Sequence, residues 1–312
     1  RHTRYIGDWS SDVCSSDLVT LTMTTDASNK SIKDVLRVYR QSRISAPIVY
    51  DSPHSGIINP PDFRPTATDS QLKTARDAFV DELIIDSSNL GAAVLVADFP
   101  RTYIDPNRSK SEVDISMING KWPHDVQVTK KLDVGMGLIR KYILPNVPMY
   151  SKKLTVSEVE NRIKNYWSPY HQSLQTLLEE KLSEFGSIFY INWHSMKSKG
   201  NQMNIDSGKK RPDFVVSDQD GETSSREFRD LITKSLMEKG YEVAINYPYK
   251  GAELIKRYGA PSKNCDAIQI EMNRRLYLDE NSVSKNDGFS VLKDNLFELT
   301  KRIVDFAFDK KT

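Results

Sequence analysis

Short apolar runs recur along this chain, separated by longer stretches in which apolar residues return every three or four positions. The runs cover residues 47–50, 92–99, 188–193, 214–217, 242–246 and 267–272. Each is short, rich in β-branched or aromatic residues and bounded by polar or turn-forming ones, the pattern of strands buried on both faces. The stretches 70–90, 130–144, 157–185, 224–239, 252–258 and 288–308 read as helices, and 31–42 as a further short one. Strands alternating with helices predict an α/β fold, a mixed and mostly parallel central sheet flanked by helices on both faces. One domain is expected over 46–310, preceded by an extension over 19–45.

Several boundaries carry chemical signals. Ser157 with Glu160 predicts a capping box at the start of the long helix. Ser168-Pro169 predicts a restart of that helix, with Ser168 as cap and proline at the first helical position. Gly186 can take the left-handed conformation that ends it. Leu174, Leu177, Leu178 and Leu182 form its apolar stripe. Residues 102–122 are irregular and polar, which suits a loop over the strand ends.

Composition narrows the function. The chain has 312 residues, and its 44 basic and 42 acidic side chains nearly cancel. That balance gives no electrostatic reason to expect nucleic acid or a membrane surface as partner. No run reaches the roughly 18 apolar residues of a spanning helix. Cys14 and Cys265 make neither a disulfide framework nor a metal-ligand pair, so a reducing cytoplasm is the expected location. Residues 1–18, RHTRYIGDWSSDVCSSDL, lack periodicity and the apolar core of a secretory signal. They resemble translated adaptor sequence and are expected to form a disordered tail outside the fold. There is no Walker loop, no GxGxxG fingerprint and no GxSxG elbow.

The candidate chemistry centres on histidine. His54, in Pro53-His54-Ser55-Gly56, follows the first strand-like run, and His194, in Trp193-His194-Ser195, ends the third. Ligand crevices of open α/β sheets lie outside such strand ends. Two histidines and a carboxylate would supply the three protein ligands of a catalytic zinc site, with a position left for water. Of the other histidines, His2 lies in the tail, His124 in a loop and His171 within a helix. Asp77 and Asp81 are one turn apart on the helix expected after His54. Asp77 borders its apolar stripe and is the better ligand by periodicity; a solvated acidic face is the alternative for both.

Glu271 sits inside the apolar run 267–272, where a carboxylate must be paired, neutralised or useful. It is either a general base or the partner of Arg274 or Arg275. Arg101, Asp105, Asn107 and Arg108 follow the second strand. An arginine fork there suits a substrate carboxylate; the alternative is an Asp105–Arg108 pair that staples the loop. Arg211-Pro212-Asp213 and Asn246-Tyr247-Pro248-Tyr249 could be plain turn chemistry. Ser55 and Ser195 adjoin histidines, but neighbours in sequence do not make a nucleophile–base pair.

Read in order, these fragments resemble the N-formylglutamate amidohydrolase family. The match runs from about Pro47 to Tyr277. It rests on Pro53-His54-Ser55-Gly56, Asp77 to Leu83, Arg101 with Asp105 to Arg108, and Trp193 to Met196. Arg211 to Asp213, Asn246 to Gly251, and Gln269 to Arg274 complete it. The resemblance implies a fold similar to the zinc carboxypeptidases, with an eight-stranded mixed sheet. It implies one zinc ion per chain on His54, His194 and an acidic residue within 77–82, placed at Asp77 with Asp81 second. Glu271 would be the general base, and Arg108 or Arg101 would stabilise the oxyanion or anchor a substrate carboxylate, with Arg108 placed as the catalytic one. Arg101, Asn107, Arg211, Tyr249 and Arg274 would bind substrate.

The implied activity is hydrolysis of the amide bond of an N-formyl or N-acyl amino acid such as N-formylglutamate, a small carboxylate-bearing amide. Pro106 and Lys250 depart from the family's usual wording near the expected pocket and leave the exact substrate open. Two other readings are a carboxypeptidase-like peptidase and a non-catalytic metal- or small-molecule-binding module. Glu271 argues against the module, which needs no buried base.

Overall fold

The computed structural model describes residues 23–26, 29–41 and 43–309. The expected tail, with His2 and Cys14, lies outside them. Among the described residues nine strands form the main sheet: β1 (Met23–Asp26), β2 (Asn29–Ile32), β3 (Leu36–Tyr39), β4 (Ile48–Ser52), β5 (Ala93–Ala97), β6 (Ile188–Met196), β7 (Phe214–Ser217), β8 (Val243–Ile245) and β9 (Cys265–Asn273). Their spatial order is β1-β2-β3-β5-β4-β6-β9-β7-β8. The central block β5-β4-β6-β9 is parallel. β3 and β7 flank it antiparallel.

The helices are α1 (Asp69–Ala75), α2 (Val80–Ile84), α3 (Lys130–Asp133), α4 (Val156–Arg162), α5 (Ser168–Phe185), α6 (Arg226–Glu238), α7 (Glu253–Tyr258) and α8 (Gly288–Asp309). No helix among the described residues is long and apolar enough to cross a membrane.

Strand alternation sorts the core into two layers. On one face Val49, Leu95 and Tyr190 pack with Tyr170, Leu174 and Leu177 of α5. On the other, Tyr50, Val96, Trp193 and Ile270 pack with Leu83 of α2, Ile232 of α6 and Leu296 of α8. Both faces are covered, so every residue of β4, β5, β6 and β9 is buried. That double burial makes these strands continuous apolar runs in the sequence.

Five expectations need correction. The helix expected over 31–42 is a hairpin: Asp34 turns the chain at φ 60°, and β3 buries Leu36 and Val38 while Arg37 and Tyr39 are half-buried. Strand periodicity and the open edge of β5 decide the outcome, and the hairpin takes the sheet beyond the eight strands implied. The helix over 70–90 is broken. Arg76 is extended after α1, Phe79 is left-handed at φ 64°, and α2 starts only then. Of the helix over 130–144 only α3 forms. Gly135 at φ 74° turns the chain back, and Tyr142–Leu144 is a short strand.

The capping box is made by Thr155 and Glu158 rather than Ser157 and Glu160. Nor does the helix restart at Ser168. It continues through a π turn over Ile163–Trp167, with Ser168 helical and uncapped. The π turn absorbs Pro169, which has no N–H for the regular ladder. Gly186, at φ 76°, ends the helix as expected.

Candidate active site

The site is assembled at the C-terminal ends of the central parallel strands. His54 follows β4 in a loop pressed against the end of β5. Gly56 is required there, because a Cβ would collide with the Phe99 carbonyl oxygen. His194 lies within β6, two residues before its end, in register with Glu271 of β9. Asp77 sits in the extended link between α1 and α2. Its N–H donates to the His54 carbonyl at 3.0 Å, which fixes it beside the histidine loop. The helical-angle argument for Asp77 therefore rested on a helix that does not form, although Asp77 is the residue that meets the histidines. His54, Asp77 and His194, all buried, bring one potential ligand atom each within 4.8 Å of one another. Asp81 faces Arg37 instead, at 3.4 Å.

The surrounding hydrogen bonds decide which ring nitrogens face inward. His54 Nε2 lies 2.7 Å from Asp105 Oδ1. A carboxylate only accepts, so Nε2 carries the proton and Nδ1 is bare. The His194 side is set by a relay. Asp51 accepts from the hydroxyls of Tyr170 and Tyr190 and from Asn192 Nδ2. Asn192 must therefore present its Oδ1 to His194 Nε2, 2.7 Å away, which leaves Nδ1 of His194 bare as well. Both Nδ1 atoms approach the same oxygen, Asp77 Oδ2, at 3.4 Å and 3.0 Å. His54 Nδ1 is buried and has no hydrogen-bond partner. Three converging lone pairs repel unless a cation lies among them, and two imidazoles with a carboxylate are a donor set that suits zinc.

Arg274 holds the other Asp77 oxygen at 3.0 Å. Burial alone would raise Asp77, but the close approach of both histidines and the charge of Arg101 hold its carboxyl well below the usual range. Asp105 is held low too: Arg101 and His54 overcome its burial.

Glu271 pairs with neither Arg274 nor Arg275. Arg274 serves Asp77, Ser195 Oγ and the Thr74 carbonyl, and Arg275 pairs with Asp213 at 2.6 Å. Gln269 Nε2 donates to Glu271 Oε1 at 3.0 Å. Burial, with Asp77 adding to it and His194 and Arg101 opposing, raises the Glu271 carboxyl. Glu271 opens onto a cavity of about 350 Å³ lined also by His54, His194, Arg101, Arg108 and Tyr249.

The arginines named from the sequence differ in what they are free to do. Arg211 is locked onto Asp206 by two bonds of 2.6 and 2.8 Å, and Arg274 is committed to Asp77 and backbone. Arg101 pairs with Asp105 at 2.7 Å, yet its Nε is buried without a partner. Arg108 lies 3.9 Å from Glu112, so the Asp105–Arg108 staple does not form. Asn107 spends its amide on the protein. Its Nδ2 lies near Asn192, His194 and Gln269, and its Oδ1 accepts from the Leu254 N–H. The Tyr249 ring has the Arg211 and Lys131 cations 5.1 and 5.7 Å from its centroid.

Two cations the sequence did not single out face this region. Lys131 lines the main cavity, and Arg140 a smaller adjoining one. Both lay in the segment read as a helix, where a charge is ordinarily solvated.

The remaining polar candidates are structural. Ser55 Oγ donates to the Asp77 carbonyl and accepts from Asp81 N–H, and Ser195 Oγ accepts from Arg274. His124 is an exposed partner of Glu160. His171 is pushed down to about 3 by burial and stays neutral. The Cys265 thiol, also buried, is pushed up to about 12.

A mixed α/β sheet with a buried His–Asp–His cluster beside a buried glutamate defines an α/β protein with a candidate metal site at its strand ends. The chain belongs to the N-formylglutamate amidohydrolase family, whose model matches residues 46–278. A crystal structure of N-formylglutamate amidohydrolase from Ralstonia eutropha is 37% identical, with a TM-score of 0.86 over 89% of this chain and 99% of that one. The N-formylglutamate deformylase of Pseudomonas putida is 24% identical over 257 residues, 79% of this chain and 86% of that protein. The Agrobacterium tumefaciens gene product Atu2144, 16% identical with a TM-score of 0.59 over 91% of this chain and 99% of that one, shares the fold.

Proposed function

We propose that this protein is a zinc-dependent amidohydrolase that removes the formyl group of an N-formyl amino acid, N-formylglutamate foremost. His54, Asp77 and His194 would hold one ion through the two Nδ1 atoms and Oδ2. The observation that carries this reading is the convergence of those three atoms, one of them a buried nitrogen without a partner, next to a glutamate with no ion pair among the described residues. The names of the Ralstonia and Pseudomonas relatives support the substrate.

Zinc bound there would acidify the attacking water and polarise the formyl carbonyl. Glu271, its proton affinity raised by burial, takes a proton from that water and delivers it to the departing amine nitrogen. Arg101 offers its unpartnered Nε–H to the oxygen that gains charge. Arg108 receives a substrate carboxylate. Asn107, Arg211 and Arg274 act as supports: Asn107 braces Asn192 and Gln269, Arg274 aims Asp77, and Arg211 backs the Tyr249 ring.

Formate release from N-formylglutamate by the zinc-loaded protein is the direct test. Turnover should stop with a chelator and return with added zinc. No chelator-sensitive formate release from any N-formyl amino acid would sink this reading.

A further inference from the structure

Four cations on the cavity walls, Lys131, Arg140, Lys197 and Lys256, have no ion pair among the described residues, and two of them, Lys131 and Arg140, flank the turn at Gly135. Arg101 is matched by Asp105, Arg211 by Asp206 and Arg274 by Asp77, and Arg108 faces Glu112. Lys131 and Arg140 have no ion pair and no side-chain hydrogen bond among the described residues; the nearest ring to Lys131 is Tyr249. Arg140 is only 7% exposed. An unpaired guanidinium taken out of water is costly, and proteins retain one where a ligand completes it.

The two groups line adjoining cavities that share part of a wall. Lys131 lines the cavity that holds Glu271, and Arg140 lines the neighbouring cavity of about 110 Å³. Arg101, Met136 and Tyr249 belong to both walls. The turn at Gly135 makes this possible by folding the segment back between the two residues. Burial, with Arg108 and Arg101 adding to it, pushes Lys131 down to about 8. Burial and Arg101 push Arg140 down to about 9, against the opposing charges of Asp105 and Asp77. An anion between them would relieve both.

We infer that Lys131 and Arg140 form a second carboxylate anchor, separate from Arg108, and that this anchor selects dicarboxylic N-acyl amino acids over monocarboxylic ones. The inference rests on the amidohydrolase reading and deepens it. The anchor grips the side-chain carboxylate of a glutamate-like substrate while Arg108 holds the other. No bond is made or broken there; the pair determines specificity.

The test compares N-formyl-L-glutamate with N-formyl-L-glutamine, which differ by that one charge, on the zinc-loaded full chain. A charge-assisted contact of this kind makes a preference on the order of 10- to 100-fold in kcat/KM for the glutamate compound. K131M and R140M should each erase most of that preference through KM, with kcat and the glutamine compound nearly unchanged. R140M should also melt no lower than the parent without substrate, because it removes an unpaired buried charge. If R140M does melt lower, R140K and K131M carry the comparison.

Equal losses on both substrates, a preference that survives both K131M and R140M, or a parent enzyme without preference would overturn the anchor. A parent enzyme inactive on every N-formyl amino acid would instead overturn the amidohydrolase reading.

Discussion

The two faces of the central sheet are built from the same strands and do opposite work. β6 and β9 send Trp193, Ile270 and Met272 to one face, where they join the apolar cluster of Tyr50, Leu83 and Ile232. The alternate residues, Asn192 with Gln269 and His194 with Glu271, are paired across the two strands on the other face. Beside them β4 contributes Asp51, bonded to Asn192. Every residue involved is buried, so solvent does not separate the roles. The difference lies in what each residue satisfies. The apolar face is held by contact area, which tolerates small errors. The polar face is a chain of donors and acceptors in which each member dictates its neighbour's orientation.

Three substitutions probe that contrast. The largest expected effect is Glu271→Gln, which keeps shape and burial but cannot take a proton. kcat should fall about 10²- to 10⁴-fold, while zinc content measured by atomic absorption stays at one per chain. Loss of zinc together with activity would make Glu271 part of the metal's support rather than the base.

On the opposite face, Trp193→Ala should cost about 3–5 kcal/mol of stability through the cavity it leaves. Denaturant titration gives that number, and the surviving folded fraction should hold zinc as tightly as the parent. Asn192→Leu should weaken zinc about 10- to 100-fold by freeing the His194 ring to adopt the wrong tautomer; competition with a calibrated chelator measures it. If Asn192→Leu instead destabilises the fold with metal affinity intact, the polar face is structural in the same sense as the apolar one.

The double burial that separates these faces also explains what could be read from the sequence. Strands 188–193 and 267–272 were legible because both faces are covered and the runs stay apolar. The same cover made Glu271 conspicuous as a charge among isoleucines. The two histidines were legible because they follow or close such runs. The hairpin over 31–39 was missed because Leu36 and Val38 show their alternation for only four residues. The break at Phe79 was invisible because a left-handed phenylalanine has no sequence signature. Lys131 and Arg140 were hidden by an assumed helix that Gly135 prevents. The excess of arginines among the substrate-binding candidates has a related cause: sequence reveals a cation but not the carboxylate already paired with it, as Asp206 is with Arg211.

The loop carrying Asp105, Asn107 and Arg108 hangs from the long helix at its π turn. Trp167 Nε1 donates to the Arg108 carbonyl at 2.9 Å, and His171 Nε2 meets the Pro106 carbonyl at 2.8 Å. The rings of Trp167 and His171 stack with centroids 3.8 Å apart, so the two hooks brace one another. This segment is irregular in outline but tied to the helix at two points. Its backbone amides are expected to exchange slowly with solvent, which hydrogen-exchange measurement would check.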